Sequence, residues 1–385
     1  MSRFAGRTGP IRLGMVGGGT GAMIGQVHRI AARLDGRFEL VAGALSSTPE
    51  KALASGLEVG LAEDRIYGDF AEMAKREARL KDGIEAVAVV TPNHMHAPVA
   101  KEFLKRGIHV ICDKPVTATL AEAKRLAAAA EKSDALFVLT HNYTGYPLVR
   151  QAREMIAAGE LGEIRLVQVE YPQDWLADAP APDNKQAAWR TDPEKAGAGG
   201  SIGDIGTHAW NLMRFVTGLE VAELAADLHS FVSGRTLDDN AHVMLRFAGG
   251  AKGMLWCSQV AAGQENGLRL RVYGTEAGIE WFQEEPNRLF FTPKGGQQQR
   301  ITRGGSGTGA AAARVTRVPA GHPEGFFEAF ATIYSEAAQA ILARRAGNPV
   351  PEGVTFPTIM DGVEGLRFVD ACVRSSKRNA AWVAP

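Results

Sequence analysis

Apolar residues in the first part of the chain alternate between short continuous runs and segments with helical spacing. Continuous runs of this length are typical of strands buried on both faces, and their alternation with helices predicts a parallel sheet covered on both sides. The predicted strands are Ile11–Val16, Phe38–Leu45, Ile84–Val90, Ile108–Cys112 and Ala135–Thr140. The predicted helices between them are Ile24–Leu34, Pro49–Leu57, Pro98–Arg106 and 119–133.

Beyond residue 160 apolar and polar residues alternate one by one, which is typical of antiparallel strands with one face in water. The predicted strands here are Arg165–Tyr171, Ala241–Phe247, Met254–Cys257 and Leu268–Tyr273. Residues 295–313 hold almost no large apolar side chain, and we expect a mobile loop there. An apolar stripe from Phe326 to Ile341 then predicts a core-facing helix.

This change of pattern predicts two domains, because 385 residues are too many for one ordinary core. We place an α/β domain with a parallel sheet at residues 1–142 and a second domain at residues 143–385.

Composition and charge argue against several classes of function. Lys+Arg and Asp+Glu number 43 each, so no overall charge attracts nucleic acid or an anionic membrane. No apolar run approaches the roughly 20 residues of a membrane span, and the N-terminal stretch MSRFAGRTGP lacks the apolar core of a signal peptide. Cys112, Cys257 and Cys372 are far apart, which argues against a disulfide framework or a zinc site. We therefore expect a cytoplasmic protein without a metal site.

A glycine-rich turn, GGGTGAMIG at Gly17–Gly25, lies between the first predicted strand and the first predicted helix. Glycines let the backbone approach a pyrophosphate closely, and the helix N-terminus offers free N–H groups and partial positive charge. The turn therefore predicts dinucleotide binding through Gly17, Gly19 and Gly25. A purely structural turn is the alternative, but the strand–turn–helix context favours the cofactor site.

The residue that contacts the adenosine ribose is expected at the end of the second strand. Ser46 and Ser47 occupy that place. No acidic residue stands there to hold the ribose hydroxyls, and no Arg stands beside the serines to hold a 2′-phosphate. The sequence leaves NAD or NADP open, with a slight preference for NAD.

Three further segments carry polar side chains suited to chemistry. Thr91–His96 (TPNHMH) follows the third predicted strand, and Asp113–Pro115 (DKP) follows the fourth, at the sheet edge where open α/β sheets bind ligands. In the second domain, Gly203–His208 (GDIGTH) opens a predicted helix over 204–215. Helical spacing would put Asp204 and His208 on one face.

Taken together, the pieces resemble the glucose–fructose oxidoreductase, inositol dehydrogenase and rhizopine catabolism (Gfo/Idh/MocA) family along nearly the whole chain. Five segments occur in the family's order. They are Gly17–His28, Thr91–His96, Asp113–Pro115, Asn142–Pro147 and Gly199–His208.

The resemblance implies an N-terminal Rossmann domain and a C-terminal α/β domain with a large open sheet, mixed and mostly antiparallel. It implies a homodimer or homotetramer built through the outer face of that sheet. It also implies NAD(P)-dependent oxidation or reduction of a secondary alcohol on a sugar, glycoside or cyclitol. The family's catalytic residues correspond to Lys114, Asp204 and His208, and its Lys–Pro bond, often cis, corresponds to Lys114–Pro115.

The chain departs from the family pattern at several places. The glycine turn is longer by about three residues, through Thr20–Ala22, which leaves the alignment of its middle glycine open. Asp113 stands where Glu is commoner, Asn142–Pro147 lacks an Arg-Phe pair, and Asn211 replaces a frequent Asp. The last three departures bear on substrate choice and leave the catalytic set intact.

The residues themselves suit proton transfer at an alcohol carbon. His208 has the intrinsic pKa of a general base near neutral pH. Lys114 can stabilise the developing charge on the same oxygen, or itself act as the acid or base. Asp204 can orient the imidazole or substrate hydroxyls. The sequence does not divide the work between Lys114 and His208.

Further candidates for cofactor and substrate contact follow from the positions of residues along the chain. We expect Thr91, Asn93, His96 and Lys114 to contact the cofactor, and Asn142, Tyr146 and His322 to contact the substrate, while His94 faces solvent. Trp175, Trp189 and Trp210 can stack on a sugar ring, but core packing or an interface is the commoner role.

We therefore expect an NAD(P)-dependent dehydrogenase acting on a small sugar or cyclitol. One alternative is a glycoside hydrolase or lyase of the same fold that oxidises a ring carbon transiently. A second is a non-enzymatic sensor that binds dinucleotide, which retention of Lys114, Asp204 and His208 disfavours.

Overall fold

The computed structural model describes residues 7–179 and 197–385. They form two compact units. The first contains the described residues up to Thr117, then Ala121–Asn142 and Phe326–Val363. The second contains Ala118–Leu120, the described part of Tyr143–Gly325, and Glu364–Pro385.

A parallel sheet forms the centre of the first unit. Its strands are β1 (Ile11–Gly17), β2 (Phe38–Ala44), β3 (Ala86–Val90), β4 (His109–Cys112) and β5 (Phe137–Leu139). Their order is β2-β1-β3-β4-β5, so the chain reverses its direction of winding between β1 and β3. β3 and β4 are buried at every position because helices cover both faces, as the apolar runs predict. The Rossmann architecture is thereby confirmed, and the adjacent ends of β1 and β3 define its ligand-binding edge.

The helices of this unit largely follow the predicted pattern. They are α1 (Met23–Leu34), α2 (Pro49–Glu58), α3 (Phe70–Glu77), α4 (Asn93–Leu104) and α5 (Leu120–Glu131). The prediction for α4 was wrong at its start, because the helix begins at Asn93 and includes Pro98. Pro98 lies inside the helix, beyond its first turn, and has no N–H to donate to the His94 carbonyl oxygen one turn earlier.

A late segment of the chain completes the core of the first unit. Helix α9 (Phe326–Ala346) packs along α1. Its residues Phe330, Ile333 and Tyr334 join Val27 and Phe38 in one buried cluster. This segment was predicted as a core-facing helix but assigned by sequence to residues 143–385; its apolar stripe buries against the Rossmann unit instead.

The second unit contains a large open sheet with eight described strands. They are β6 (Ile164–Pro172), β7 (Val221–His229), β8 (Asn240–Phe247), β9 (Lys252–Ser258), β10 (Arg269–Gly274), β11 (Ala277–Phe282), β12 (Arg288–Pro293) and β13 (Gln299–Thr302). The order is β13-β12-β11-β10-β6-β9-β8-β7. Only β6 and β9 run parallel among these pairs, so the mixed, mostly antiparallel sheet is confirmed.

Helices cover one face of this sheet. They are α6 (Pro147–Ala157), α7 (Thr207–Thr217), the short α8 (Ala310–Ala313) and α10 (Ile359–Ser376), the last of which begins in the first unit. The prediction of a mobile loop over 295–313 was wrong, since β13 and α8 lie in that segment. Gln151 Oε1 accepts a hydrogen bond from the Gly309 backbone N at 2.6 Å, and Glu154 Oε2 accepts one from Ala311 N at 3.2 Å, which fixes the start of α8 on α6.

None of the helices within the described residues is long and apolar enough to cross a membrane.

Candidate active site

The glycine turn is shaped by close approach of backbone to backbone. Gly17 has φ +78°, and a Cβ there would stand 2.4 Å from the carbonyl oxygen of Val90 at the end of β3. A Cβ on Gly25, in the first turn of α1, would stand 2.1 Å from the carbonyl oxygen of Gly18. Gly25 therefore takes the part of the glycine that permits close packing of helix and strand. Only glycine fits at either position, so the backbone of the turn packs directly against the end of β3 and the first turn of α1.

The additional residues of the turn are tied to α2. Thr20 N donates to Ser55 Oγ at 3.1 Å, and the Thr20 hydroxyl donates to the Glu58 carboxylate. Gly19 lies so close to Leu45 that a Cβ would come within 2.7 Å of the Leu45 carbonyl oxygen. The middle of the turn therefore lies beside the end of β2, directly before Ser46.

Ser46 and Ser47 follow β2 at the expected place. Ser46 is half-buried, and its Oγ accepts a hydrogen bond from Thr48 N at 3.2 Å, while Ser47 is exposed. Neither carries charge, so electrostatics at this point disfavours neither a ribose hydroxyl nor a 2′-phosphate.

The segment after β3 also offers polar groups to a ligand. Helix α4 begins at Asn93, which is buried, and Thr91 Oγ1 is buried without a hydrogen-bond partner among the described residues. A buried hydroxyl is costly to leave unsatisfied, so this atom fits a site that a ligand completes. Together with the glycine cradle and the N-termini of α1 and α4, it fits the pyrophosphate and ribose of a dinucleotide.

His96 connects this segment to the one that carries Lys114. Its ring nitrogens lie 2.8 Å from the Thr91 carbonyl oxygen and 2.7 Å from the Pro115 carbonyl oxygen. Burial lowers the pKa of His96, opposed by the charge of Asp113 and by the two carbonyl contacts. His96 is only 1 % exposed, so it holds the walls of the site together. His94 is exposed, as expected.

Lys114 is half-buried, and its bond to Pro115 is cis, as the family resemblance implies. Asp113 Oδ1 accepts hydrogen bonds from the Thr140 hydroxyl at 3.0 Å and from Lys114 N at 2.9 Å. His28 Nε2 lies 3.8 Å from the same oxygen. Burial alone would raise the pKa of Asp113, but His28 and the Lys114 charge lower it well below its usual range. A fixed carboxylate thus stands directly beside Lys114.

Asn142 is the last candidate site residue, along the chain, in the first unit. It follows β5, is 2 % exposed, and its Nδ2 has no hydrogen-bond partner within the described part of the chain. A buried amide N–H without an acceptor is a donor awaiting a ligand or water. Its position after a strand end agrees with a binding role.

In the second unit, Asp204 and His208 lie on a distorted helical segment. Residues Ile202–Gly206 form one π-helical turn, and α7 follows from Thr207. The predicted helix over 204–215 is thus wrong in its first turn, because a wider turn precedes the α-helix; such turns recur at functional sites.

A carboxylate fixes the beginning of this segment. Asp238 accepts hydrogen bonds from Gly200 N at 2.7 Å, from the Ser201 hydroxyl at 2.7 Å and from Ile202 N at 2.8 Å. Burial raises the pKa of Asp238, and these hydrogen bonds oppose the rise. Asp238 was not predicted as an anchor, since it precedes β8 and is distant along the chain.

The side chains of Asp204 and His208 are held by neighbours that sequence reasoning missed. Gln259, just after β9, donates from Nε2 to Asp204 Oδ2 at 3.0 Å. The His208 imidazole is 7 % exposed. The Tyr143 ring meets it edge-on at 4.8 Å between centroids, and the Tyr171 ring lies at 6.3 Å.

Tyr146 and His322 differ in their exposure to solvent. Tyr146 is 1 % exposed, stacks in parallel with Tyr143 at 6.2 Å, and accepts a hydrogen bond from Gln283 Nε2 at 3.2 Å. His322 is exposed. Its carbonyl oxygen accepts a hydrogen bond from Arg303, which also forms a buried 2.9 Å ion pair with Glu324, so the segment before α9 is fixed rather than loose.

The tryptophans have separate roles. Trp210 is 2 % exposed and stacks on Phe368 at 4.3 Å, which is core packing. Trp175 is 41 % exposed and donates to Gln173 Oε1 at 3.0 Å. Trp189 lies outside the described residues.

Within the described part of the chain, no group of three or more His, Cys, Asp or Glu is placed to hold a metal ion.

The first unit has the strand–turn–helix form of a dinucleotide-binding site. Residues 11–141 match the oxidoreductase family model with an NAD-binding Rossmann fold, and residues 149–280 match the GFO/IDH/MocA C-terminal domain. The chain belongs to the Gfo/Idh/MocA family of oxidoreductases.

Known proteins agree with this assignment. An oxidoreductase from Sinorhizobium meliloti is 64 % identical, with 98 % of this chain and 100 % of that chain covered and a TM-score of 0.90. An inositol dehydrogenase homologue from Azotobacter vinelandii, solved with NAD+, is 39 % identical over the full length of both chains, with a TM-score of 0.94. A homologue from the same organism was also solved with NADH and myo-inositol.

A more distant relative is named for a different substrate. The levoglucosan dehydrogenase of Pseudarthrobacter phenanthrenivorans is 28 % identical, with 97 % of each protein covered. None of these named proteins is a glycoside hydrolase or lyase, and the alternative of transient ring oxidation is without support.

Proposed function

We propose that this protein oxidises or reduces a secondary alcohol on a sugar, glycoside or cyclitol ring, with Lys114, Asp204 and His208 acting at the reacting carbon. The observation that carries the proposal is the pair Asp204 and His208, one turn apart and held by Gln259, Tyr143 and Tyr171, in a chain whose other unit has a dinucleotide cradle. When bound, the nicotinamide supplies the hydride acceptor or donor.

The residues then divide the proton chemistry as follows. His208 takes the hydroxyl proton, because an imidazole titrates near neutral pH. Lys114 stabilises the negative charge that develops on the same oxygen. Asp204, fixed by Gln259, orients a neighbouring hydroxyl or the imidazole. Exchange of the acid–base role between Lys114 and His208 is the second form of the mechanism, and the variants described in the Discussion decide between them.

For the substrate we favour an uncharged ring polyol of the inositol or anhydrosugar type. The Azotobacter vinelandii homologue complexed with myo-inositol and levoglucosan dehydrogenase support this choice. Asn142, whose buried amide donor has no acceptor among the described residues, and His322 are the further candidates for substrate contact. Tyr146 supports the site from inside the second unit.

The cofactor is NAD or NADP with a slight preference for NAD. Gly17, Gly19 and Gly25 shape the phosphate cradle, Ser46 and Ser47 lie at the ribose end, and the segment of Thr91, Asn93 and His96 forms the opposite wall. These residues and Lys114 are the proposed cofactor contacts.

We also propose a homodimer or homotetramer that associates through the outer face of the eight-stranded sheet. On this face Met244 and Met254 are paired across β8 and β9 and are 52 % and 44 % exposed. Their chain neighbours Val243 and Leu255 face the covered side and are fully buried. An exposed methionine pair on an open sheet is a surface suited to a second copy. We also propose a cytoplasmic location, because three free cysteines that are far apart along the chain fit a reducing compartment.

The decisive experiment is a turnover screen. Purified protein is incubated with NAD or NADP and a panel of inositols, aldoses, anhydrosugars and glycosides, and NAD(P)H is followed by absorbance. A dehydrogenase yields one reduced cofactor per ketone or lactone formed. Release of an aglycone without net NADH would establish the hydrolase alternative, and absence of turnover with cofactor bound would favour the sensor.

A further inference from the structure

A hydrogen-bonded network converges on Asn266 in the loop between β9 and β10. Asn266 Oδ1 accepts from the Tyr171 hydroxyl at 2.7 Å and from Gln173 Nε2 at 2.7 Å. Asn266 Nδ2 donates to Gln283 Oε1 at 2.8 Å. One carboxamide thus uses both of its ends and ties the end of β6 to the end of β11.

The network leads directly to the imidazole of His208. The hydroxyls of Tyr143 and Tyr171 lie 2.5 Å apart. Because the Tyr171 proton goes to Asn266, the Tyr143 hydroxyl is the donor within that pair. Both rings are at most 4 % exposed, and both meet His208, Tyr143 edge-on at 4.8 Å.

Gln283, at the other end of the network, supports the Tyr143 ring through Tyr146. Gln283 Nε2 donates to the Tyr146 hydroxyl, and Tyr146 stacks in parallel on Tyr143. Burial raises the pKa of both Tyr143 and Tyr171, so the hydroxyls remain donors throughout the working pH range. The direction of each hydrogen bond is therefore fixed.

We propose that Asn266 is a positioning residue for His208, acting through Tyr171 and Tyr143. Asn266 touches neither of the proposed reacting groups, but it fixes the two rings that form the wall against the imidazole. This inference rests on the proposed function insofar as His208 is a catalytic group. Displacement of that wall gives the imidazole more freedom and admits water, and misplacement of a reacting group by an ångström costs rate steeply.

The test compares four variants. Asn266→Ala removes the acceptor, and Tyr171→Phe removes one hydroxyl while leaving the ring. Asn266→Asp keeps the acceptor for Tyr171 but loses the donor to Gln283, so it separates the two ends of the carboxamide. Gln264→Ala, an exposed residue of the same loop, is the matched control. Thermal melts identify any variant that fails to fold, and Tyr171→Phe keeps the proposal testable if Asn266→Ala does.

Two readouts are taken at pH 7. The first is kcat and KM with the best substrate of the screen. We expect kcat to fall roughly ten- to a hundredfold in Asn266→Ala and Tyr171→Phe, with KM changed less, and to fall less in Asn266→Asp, which keeps the acceptor for Tyr171. The second needs no turnover: the rate at which diethyl pyrocarbonate modifies His208, measured by peptide mass spectrometry. We expect several-fold faster modification in Asn266→Ala and Tyr171→Phe only.

The outcomes separate the two proposals. If the wild type turns over no substrate but His208 modification rises in the two variants, the proposed function fails and the positioning of His208 stands. Folded Asn266→Ala and Tyr171→Phe proteins with unchanged kcat overturn the inference, whatever the modification rate. In a wild type without turnover, an unchanged modification rate overturns it as well.

Discussion

Gly25 of α1 lies against Gly18 so closely that a Cβ on Gly25 would stand 2.1 Å from the Gly18 carbonyl oxygen. Replacement by Ala forces α1 away from the glycine turn. We expect Gly25→Ala to lose about 1–3 kcal/mol of unfolding free energy and the thermal shift that NAD gives the wild type. Gly249→Ala is the control, because nothing lies within 4 Å of a Cβ there. Melting curves with and without NAD make the measurement, and a normal NAD shift in Gly25→Ala would contradict the cradle.

Loss of the proposed acid–base groups is expected to affect kcat. Lys114→Ala and His208→Ala should each lower kcat by about a hundredfold or more, the scale of general acid–base help. Dinucleotide affinity should change far less in His208→Ala than in Lys114→Ala. His94→Ala, an exposed residue, is the control. Steady-state kinetics and cofactor titration decide the matter: a well-folded His208→Ala enzyme with normal turnover would leave Lys114 as the base.

The serines at the ribose end predict weak discrimination between nucleotides. Ser46 and Ser47 carry no charge to repel or bind a 2′-phosphate, so the ratio of kcat/KM for NAD and NADP should stay below about a thousandfold, or about 4 kcal/mol. Ser46→Asp should raise the preference for NAD, because the carboxylate accepts the ribose hydroxyls and repels the phosphate. Ser233→Asp, an exposed residue of the other unit, controls for net charge. A wild-type ratio above that limit would reveal a contact other than these serines.

Acid stability should depend on His109. Burial lowers the pKa of His109 to about 3, with Arg344 and Arg345 adding to the effect, and its Nδ1 accepts a hydrogen bond from Leu136 N at 2.8 Å. Between the unfolded value of about 6.5 and the folded value the unfolded chain binds more protons, so stability falls as pH falls.

We expect His109 to contribute roughly 2–3 kcal/mol to the loss of stability between pH 7 and pH 4. His109→Asn, whose Oδ1 replaces the Nδ1 acceptor but does not titrate, should flatten that acid limb in urea unfolding curves. His94→Asn should leave the slope unchanged. An equal acid slope in His109→Asn would show that other groups dominate.

The methionine pair on the open sheet should control assembly. Met244→Asp with Met254→Asp would bring charges into the proposed interface, where they are desolvated, and should shift the protein toward the monomer. Met360→Asp is the control, since Met360 is 50 % exposed on another element. Light scattering after size exclusion measures the mass. An unchanged oligomer in the double variant would place the interface elsewhere.

Local pattern was sufficient for most of the fold. The Rossmann strands are predicted to within a few residues because strands buried on both faces are nearly all apolar, as Ala86–Val90 is. Gly17 was identified because a strand, a glycine-rich turn and a helix follow one another along the chain. The Asp113–Pro115 segment was identified through the family resemblance.

Features that depend on distant partners were not predictable. Residues 295–313 look disordered by composition, but Gln151 and Glu154 fix Gly309 and Ala311 from another helix. Asp238 and Gln259 support the Asp204 segment from separate loops, and Asn266 reaches His208 only through two rings. Hydrogen bonds of this kind leave no periodicity in the sequence.

The place of α9 has a consequence for synthesis of the protein. Phe330, Ile333 and Tyr334 complete the core around Val27 and Phe38, although they come near the other end of the chain. Since a nascent chain emerges N-terminus first, the Rossmann unit remains open on the ribosome while the residues of the second unit are made. Its apolar groove is exposed for all that time, so the dinucleotide-binding unit, although it is made first, cannot close until Phe326–Val363 has been made.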